Sequence, residues 1–153
     1  MANQLRIKYY SDAFLKLHCA QVRGRKIFAK PIFVLSVIQA IEDKVVTENK
    51  FEYGKGNFEQ FHEIYKDTYM SYQPNEYLTP IFKPYFHLTT DGFWHHKVLD
   101  DTVPKKSSTT YLKDNVSYAY LDEALWDLLQ EPSVREQYRE LIVNFFLRPK
   151  TEE

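Results

Sequence analysis

The run Pro31-Ile32-Phe33-Val34-Leu35-Ser36-Val37-Ile38-Gln39-Ala40-Ile41 constrains this chain more than any other segment. It is apolar nearly all round, and its proline suits the first position of a helix. A helix with no polar face must be wrapped by the rest of the chain, so the sequence predicts a central buried helix that stops in Glu42-Asp43-Lys44. At 153 residues the chain is long enough for one domain with a core that needs no covalent staples.

Other segments supply the wrapping. Leu5 to Ala20 reads as a helix with Leu5, Tyr9 and Ala13 on one stripe. Asn57, with Gln60 three residues on, is placed to cap a helix whose inner stripe is Phe58, Phe61, Tyr65, Tyr69 and Tyr72. Tyr118 to Gln130 reads as a further helix, and Ser133 with Glu136 as the capping box of a last one running to about Leu147. Between Pro84 and Val98, two β-prone runs flank Asp91-Gly92, a pair that predicts a tight hairpin. Strand alternation would turn Phe86 and Leu88 inward and Tyr85 and His87 outward. The expected fold is α+β: a mainly helical single domain over residues 1–150 with a small β-hairpin or sheet, then a charged tail at 151–153.

The net charge of −1 argues against nucleic acid, but its distribution does not. Residues 1–30 hold seven basic side chains against Asp12 alone. Such a local field attracts a polyanion even where the whole molecule does not. Arg23, Arg25 and Lys26 sit in a glycine-containing loop, and Lys30 at the entry of the central helix, where the helix N-terminus also favours anions. The alternative for all four is a solvated basic loop.

Catalysis finds no motif. There is no G-x-S-x-G elbow or glycine-rich phosphate loop, and His62-Glu63 is followed at position 66 by lysine rather than a second histidine. His95 and His96 are neighbours on a strand and point to opposite faces, a poor start for a metal site. No metal or cofactor is expected. With the single cysteine Cys19, no signal-peptide pattern at Met1 to Arg6 and no apolar run of bilayer length, a cytoplasmic setting away from membranes is expected.

Several motifs, taken in order, resemble one family. They are Tyr9-Tyr10 to Leu17, Arg23-Gly24, Lys30-Pro31-Ile32, Thr47-Glu48-Asn49, Pro84-Tyr85-Phe86-His87-Leu88, Asp91-Gly92-Phe93-Trp94-His95, Ala119 to Gln130 and Arg139-Glu140-Leu141-Ile142. Together they are similar to the sulfur-binding domain that reads phosphorothioate DNA in HNH-type, modification-dependent restriction endonucleases. The resemblance implies a DNA-binding recognition domain of a restriction or defence system. Its partner would be double-stranded, phosphorothioate-modified DNA, and its cutting would be done by an HNH nuclease domain or a partner protein. It further implies phosphate contacts from Arg23, Arg25, Lys26, Lys30 and Lys83, and a sulfur pocket of Pro84, Tyr85 and His87. Sulfur is larger and less hydrated than oxygen, so an apolar notch would favour it. Two positions depart from the family pattern: Ala29 replaces a frequent histidine, and Lys83 stands where relatives often carry an apolar residue. Two other readings stay open: a protein-interaction module on the same scaffold, and the targeting part of a nuclease whose HNH half lies elsewhere.

Overall fold

A computed structural model describes residues 2–147, so the expected charged tail lies outside the described residues. The elements run α1 (Ala2–Leu15), β1 (Gln21–Val22), β2 (Arg25–Lys26), α2 (Ala29–Glu42), α3 (Phe58–Tyr72), α4 (Phe82–His87), a 3-10 turn (Leu88–Asp91), β3 (Trp94–Val98), α5 (Thr109–Asn115), β4 (Val116–Leu121), α6 (Glu123–Leu128), α7 (Pro132–Ile142) and a π-helical turn (Val143–Leu147). The fold is α+β, predominantly helical, with two small antiparallel sheets.

Helix α2 is the axis, as its composition predicts: of its 14 residues only Lys30, Gln39 and Glu42 escape full burial. Pro31 falls third rather than first in the helix, still within the turn whose amides have no intrahelical partner. Helices α3, α7 and α4 all pack against α2. The helix ends in a Schellman motif. Val45 N–H donates to Ala40 O at 2.9 Å and Lys44 N–H to Ile41 O at 3.1 Å, with Lys44 at φ 59° where glycine is usual.

Phe33, projecting from α2, is the hub of the core. Its ring meets Phe61 of α3 at 5.4 Å, Tyr85 of α4 at 6.2 Å and Trp94 of β3 at 5.2 Å, each edge to face. Trp94 Nε1 donates to Tyr85 O at 2.8 Å, and the Tyr85 hydroxyl donates to Phe51 O, so polar tips buried among these rings are satisfied.

Several expectations change. Asn57 sits at the α3 N-cap position, but its amide donates to Val45 O at 2.6 Å instead of capping the helix. Helix α7 starts at Pro132, so Ser133 and Glu136 form no capping box. The exposed face of α1 carries Leu5 and Tyr9; Tyr10 and Phe14 are the buried ones. The predicted helix from Tyr118 is strand β4 up to Leu121, paired with β3 from Trp94↔Leu121 to Val98↔Val116. The far edge of β4 is also satisfied. Phe51 exchanges two backbone bonds with Ala119, and the Asn49 side chain donates to Leu121 O and accepts from its N–H, both at 2.8 Å. A side-chain amide here takes the part of a neighbouring strand.

The hairpin predicted around Asp91-Gly92 is absent. Residues 82–91 are helical, and Gly92, at φ 93°, turns the chain from the 3-10 turn into β3. Asp-Gly does mark a left-handed position, but one that ends a helix rather than joining two strands. Pro84 lies third in α4, where its missing amide costs nothing.

Two outcomes follow for stability. Phe33→Ala should lose about 3–5 kcal/mol in urea denaturation, because three elements lose their common contact. Lys44→Gly should gain about 1 kcal/mol by the same measurement, through relief of the left-handed backbone.

Candidate functional site: a cationic face

The basic loop is a β-hairpin. Gln21 pairs with Lys26 and Val22 with Arg25, leaving Arg23-Gly24 as a two-residue turn with φ of 54° and 79°. Two positive φ angles are the mark of a type I′ turn, which suits the twist of a hairpin. Arginine at such an angle is uncommon, and it puts the Arg23 side chain at the exposed tip. Lys26 is exposed beside it.

Helix α4 contributes the other half through its periodicity. On a helix Lys83 and His87 share a face four residues apart, and both are exposed. Pro84, Tyr85 and Leu88 turn inward instead and are buried. The change of period from 2 to 3.6 therefore reassigns the proposed pocket. Tyr85 is wholly buried within the core and Pro84 is buried too, so neither side chain lies open to a ligand, while His87 does.

Charge links the two halves. Burial pushes the Cys19 thiol up; the ammonium groups of Lys26 and Lys30 oppose this and Asp91 adds to it. Partial burial holds the His87 imidazole below its ordinary range, and Lys30 and Lys83 lower it further. Lys26 and Lys30 thus share the neighbourhood of Cys19, and Lys30 and Lys83 that of His87, so Lys30 links the hairpin to α4 although 61 positions separate Lys26 from His87 in the chain.

Not all of these cations are available. Lys30 Nζ lies 2.7 Å from Asp91 Oδ2, with side-chain exposures of only 11% and 8%, and 3.4 Å from Thr90 Oγ1. The other Asp91 oxygen accepts from the His18 backbone N–H at 3.4 Å. Arg25 pairs with Glu76, though most of its side chain remains in solvent. Arg23, Lys26 and Lys83 have no ion-pair partner among the described residues. From sequence, Asp91 stands out only as a turn and motif residue, and Glu76 not at all. No local pattern announces a carboxylate whose partner is 51 or 61 residues away.

The adjacent histidines diverge as strand geometry requires. His95 Nε2 meets Asp122 Oδ1 at 2.6 Å, and Asp122 also accepts from the Tyr10 hydroxyl at 2.8 Å; His96 Nε2 meets Tyr85 O at 3.0 Å. Among the described residues no cluster of histidine, cysteine and carboxylate side chains could hold a metal ion, and no helix is long and apolar enough to cross a membrane. A cleft of about 340 Å³ over β4 is lined by Lys50 and Lys97 but also by Glu48 and Glu123, a balance that favours neither sign of ligand. Comparison of the chain with protein-family models and with curated proteins finds no match.

Burial lowers His62, His87 and His96 alike, so the native state prefers them neutral. Unfolded histidine titrates near pH 6.5, so the unfolded state binds more protons below that value. Between about pH 7 and 8 these histidines should leave stability constant, and it should fall as the pH drops through 6.5, read as urea midpoints. His96→Gln, which keeps a donor for Tyr85 O, should make that fall shallower.

Proposed function

We propose that this chain is a DNA-recognition module that holds the duplex backbone on the face made by the β1–β2 hairpin and the outer side of α4. The observation that supports it is that Lys26 and Lys30 both act on Cys19 while Lys30 and Lys83 both act on His87, which makes the hairpin, the start of α2 and the outer side of α4 one neighbourhood, with Arg23 at the exposed hairpin tip, in a chain whose net charge is −1. A general excess of charge would scatter; a local one on a molecule of nearly zero net charge serves an anionic partner. The hairpin extends two exposed cationic side chains, which suits phosphate contact rather than base readout.

A preference for phosphorothioate is the finer form of this reading and rests on the sequence resemblance. With Pro84 and Tyr85 buried, that preference would come from the surface around His87. The nuclease step is assigned to an HNH domain or partner protein. A second reading, a protein-interaction module, draws support from Leu5 and Tyr9, which stand exposed four residues apart on α1.

Fluorescence anisotropy with a labelled duplex tests the proposal. Arg23→Asn removes the charge with a residue that tolerates positive φ, so the hairpin is kept. It and Lys26→Ala should each weaken binding to every sequence and flatten the salt dependence by about 0.9 in log–log slope. Unchanged slopes would remove these side chains from the interface, and no binding at low salt would favour the interaction module. A twin duplex bearing one stereodefined phosphorothioate should bind more tightly; equal affinity would leave plain DNA as the ligand. Because a phosphate nearby favours the imidazolium, affinity should rise as pH falls from about 7.5 to 5.5, and His87→Gln should flatten that rise.

A further inference from the structure

The cationic face contains its own anion. Lys30 is the second residue of α2, where a helix N-terminus and an ammonium together would suit a phosphate. The fold already supplies a carboxylate there. Asp91 takes Lys30 at 2.7 Å with both side chains about nine-tenths buried, and is itself fixed by the His18 N–H and the turn into Gly92. A buried ion pair is costly to break by removing one partner, because the survivor is left without compensation. An incoming phosphate would thus have to displace Asp91 and leave its charge unpaired, under a face that must attract anions.

We propose that Asp91 is a specificity-determining residue of this face: it withholds Lys30 from ordinary backbone phosphates, keeping general DNA affinity low. Selectivity is a difference of affinities, so weakening the contact that every duplex can make gives weight to contacts that only the right one offers. This inference rests on the DNA-binding reading. It changes the part given to Lys30, which becomes the held cation rather than a phosphate contact, while Arg23, Lys26 and Lys83 carry the backbone.

The test is a double-mutant cycle on the full chain: wild type, Asp91→Asn, Lys30→Met and the double variant. Each is measured by anisotropy with unmodified duplex and by elution from heparin. Asparagine is isosteric and still offers an oxygen to Lys30, but no charge. The expected result is that Asp91→Asn binds duplex about ten-fold more tightly at low salt, with a salt slope steeper by about one. Lys30→Met alone should change affinity by less than about two-fold, and in the Asp91→Asn background it should cancel the gain. Breaking the buried pair lowers the melting temperature in either case; a merely structural Asp91 would give unchanged or weaker binding, which overturns the proposal. So would a Lys30→Met variant that loses as much affinity as Lys26→Ala. If neither wild type nor Asp91→Asn binds duplex, heparin separates the two ideas: later elution of Asp91→Asn, reversed in the double variant, keeps the gate and sinks the DNA reading. Unchanged elution sinks the gate. Should Asp91→Asn fail to fold, the Lys30→Met result decides alone.

Discussion

The edge-to-face contact between Phe33 and Trp94, 5.2 Å between ring centres, is the point on which the rest of this structure hangs. Phe33 belongs to the buried helix and Trp94 to the first residue of β3, and Tyr85 of α4 closes the group against both. Aromatic pairs of this kind add directional preference to the area they bury, so they fix angles between elements as well as distances. Because Trp94 also donates to the Tyr85 carbonyl, α4 and β3 are set relative to each other by a ring and a hydrogen bond together. That setting aims the outer side of α4, with Lys83 and His87, beside the N-terminus of α2.

The electrostatics of the face follow from the same arrangement. The turn at Asp91-Gly92 leaves the 3-10 segment just below α2, so the Asp91 carboxylate reaches Lys30 while the residues before it present their cations outward. Two of the five basic side chains expected to meet phosphate are paired with carboxylates, and three have no ion-pair partner among the described residues. The face is therefore less basic than a count of lysines and arginines suggests, and its free cations sit at the hairpin and on α4. Partial burial, reinforced by Lys30 and Lys83, holds His87 below its ordinary range, so an arriving anion would favour its protonated form.

Much of the scaffold was legible before any coordinates. The buried helix through Ile32–Ile41 was readable because composition alone forbids it a wet side, and the Phe61, Tyr65, Tyr69 stripe because its spacing matches one helical face. The segment Pro84–Leu88 was misread for a specific reason: it is short, aromatic and followed by Asp-Gly, and over five residues periods of 2 and 3.6 are hard to tell apart. That misreading reached the site, since the strand period exposes Tyr85 and the helical period buries it. The reverse error occurred at Tyr118–Leu121, where strand pairing with β3 prevailed over a pattern continuous with the helix that follows.

What the sequence by itself determined is the inventory and the local rules: one helix that had to be buried, a glycine obliged to take positive φ at position 92, and a cationic bias confined to the first thirty residues. These are consequences of single side chains or of short-range spacing. Tertiary structure decided which charges remain available and which rings face the core, because both depend on partners tens of residues away. Lys30 and Asp91 are unremarkable in sequence; only the packing of α2 against the turn before β3 makes them one ion pair and turns a candidate phosphate contact into a held one.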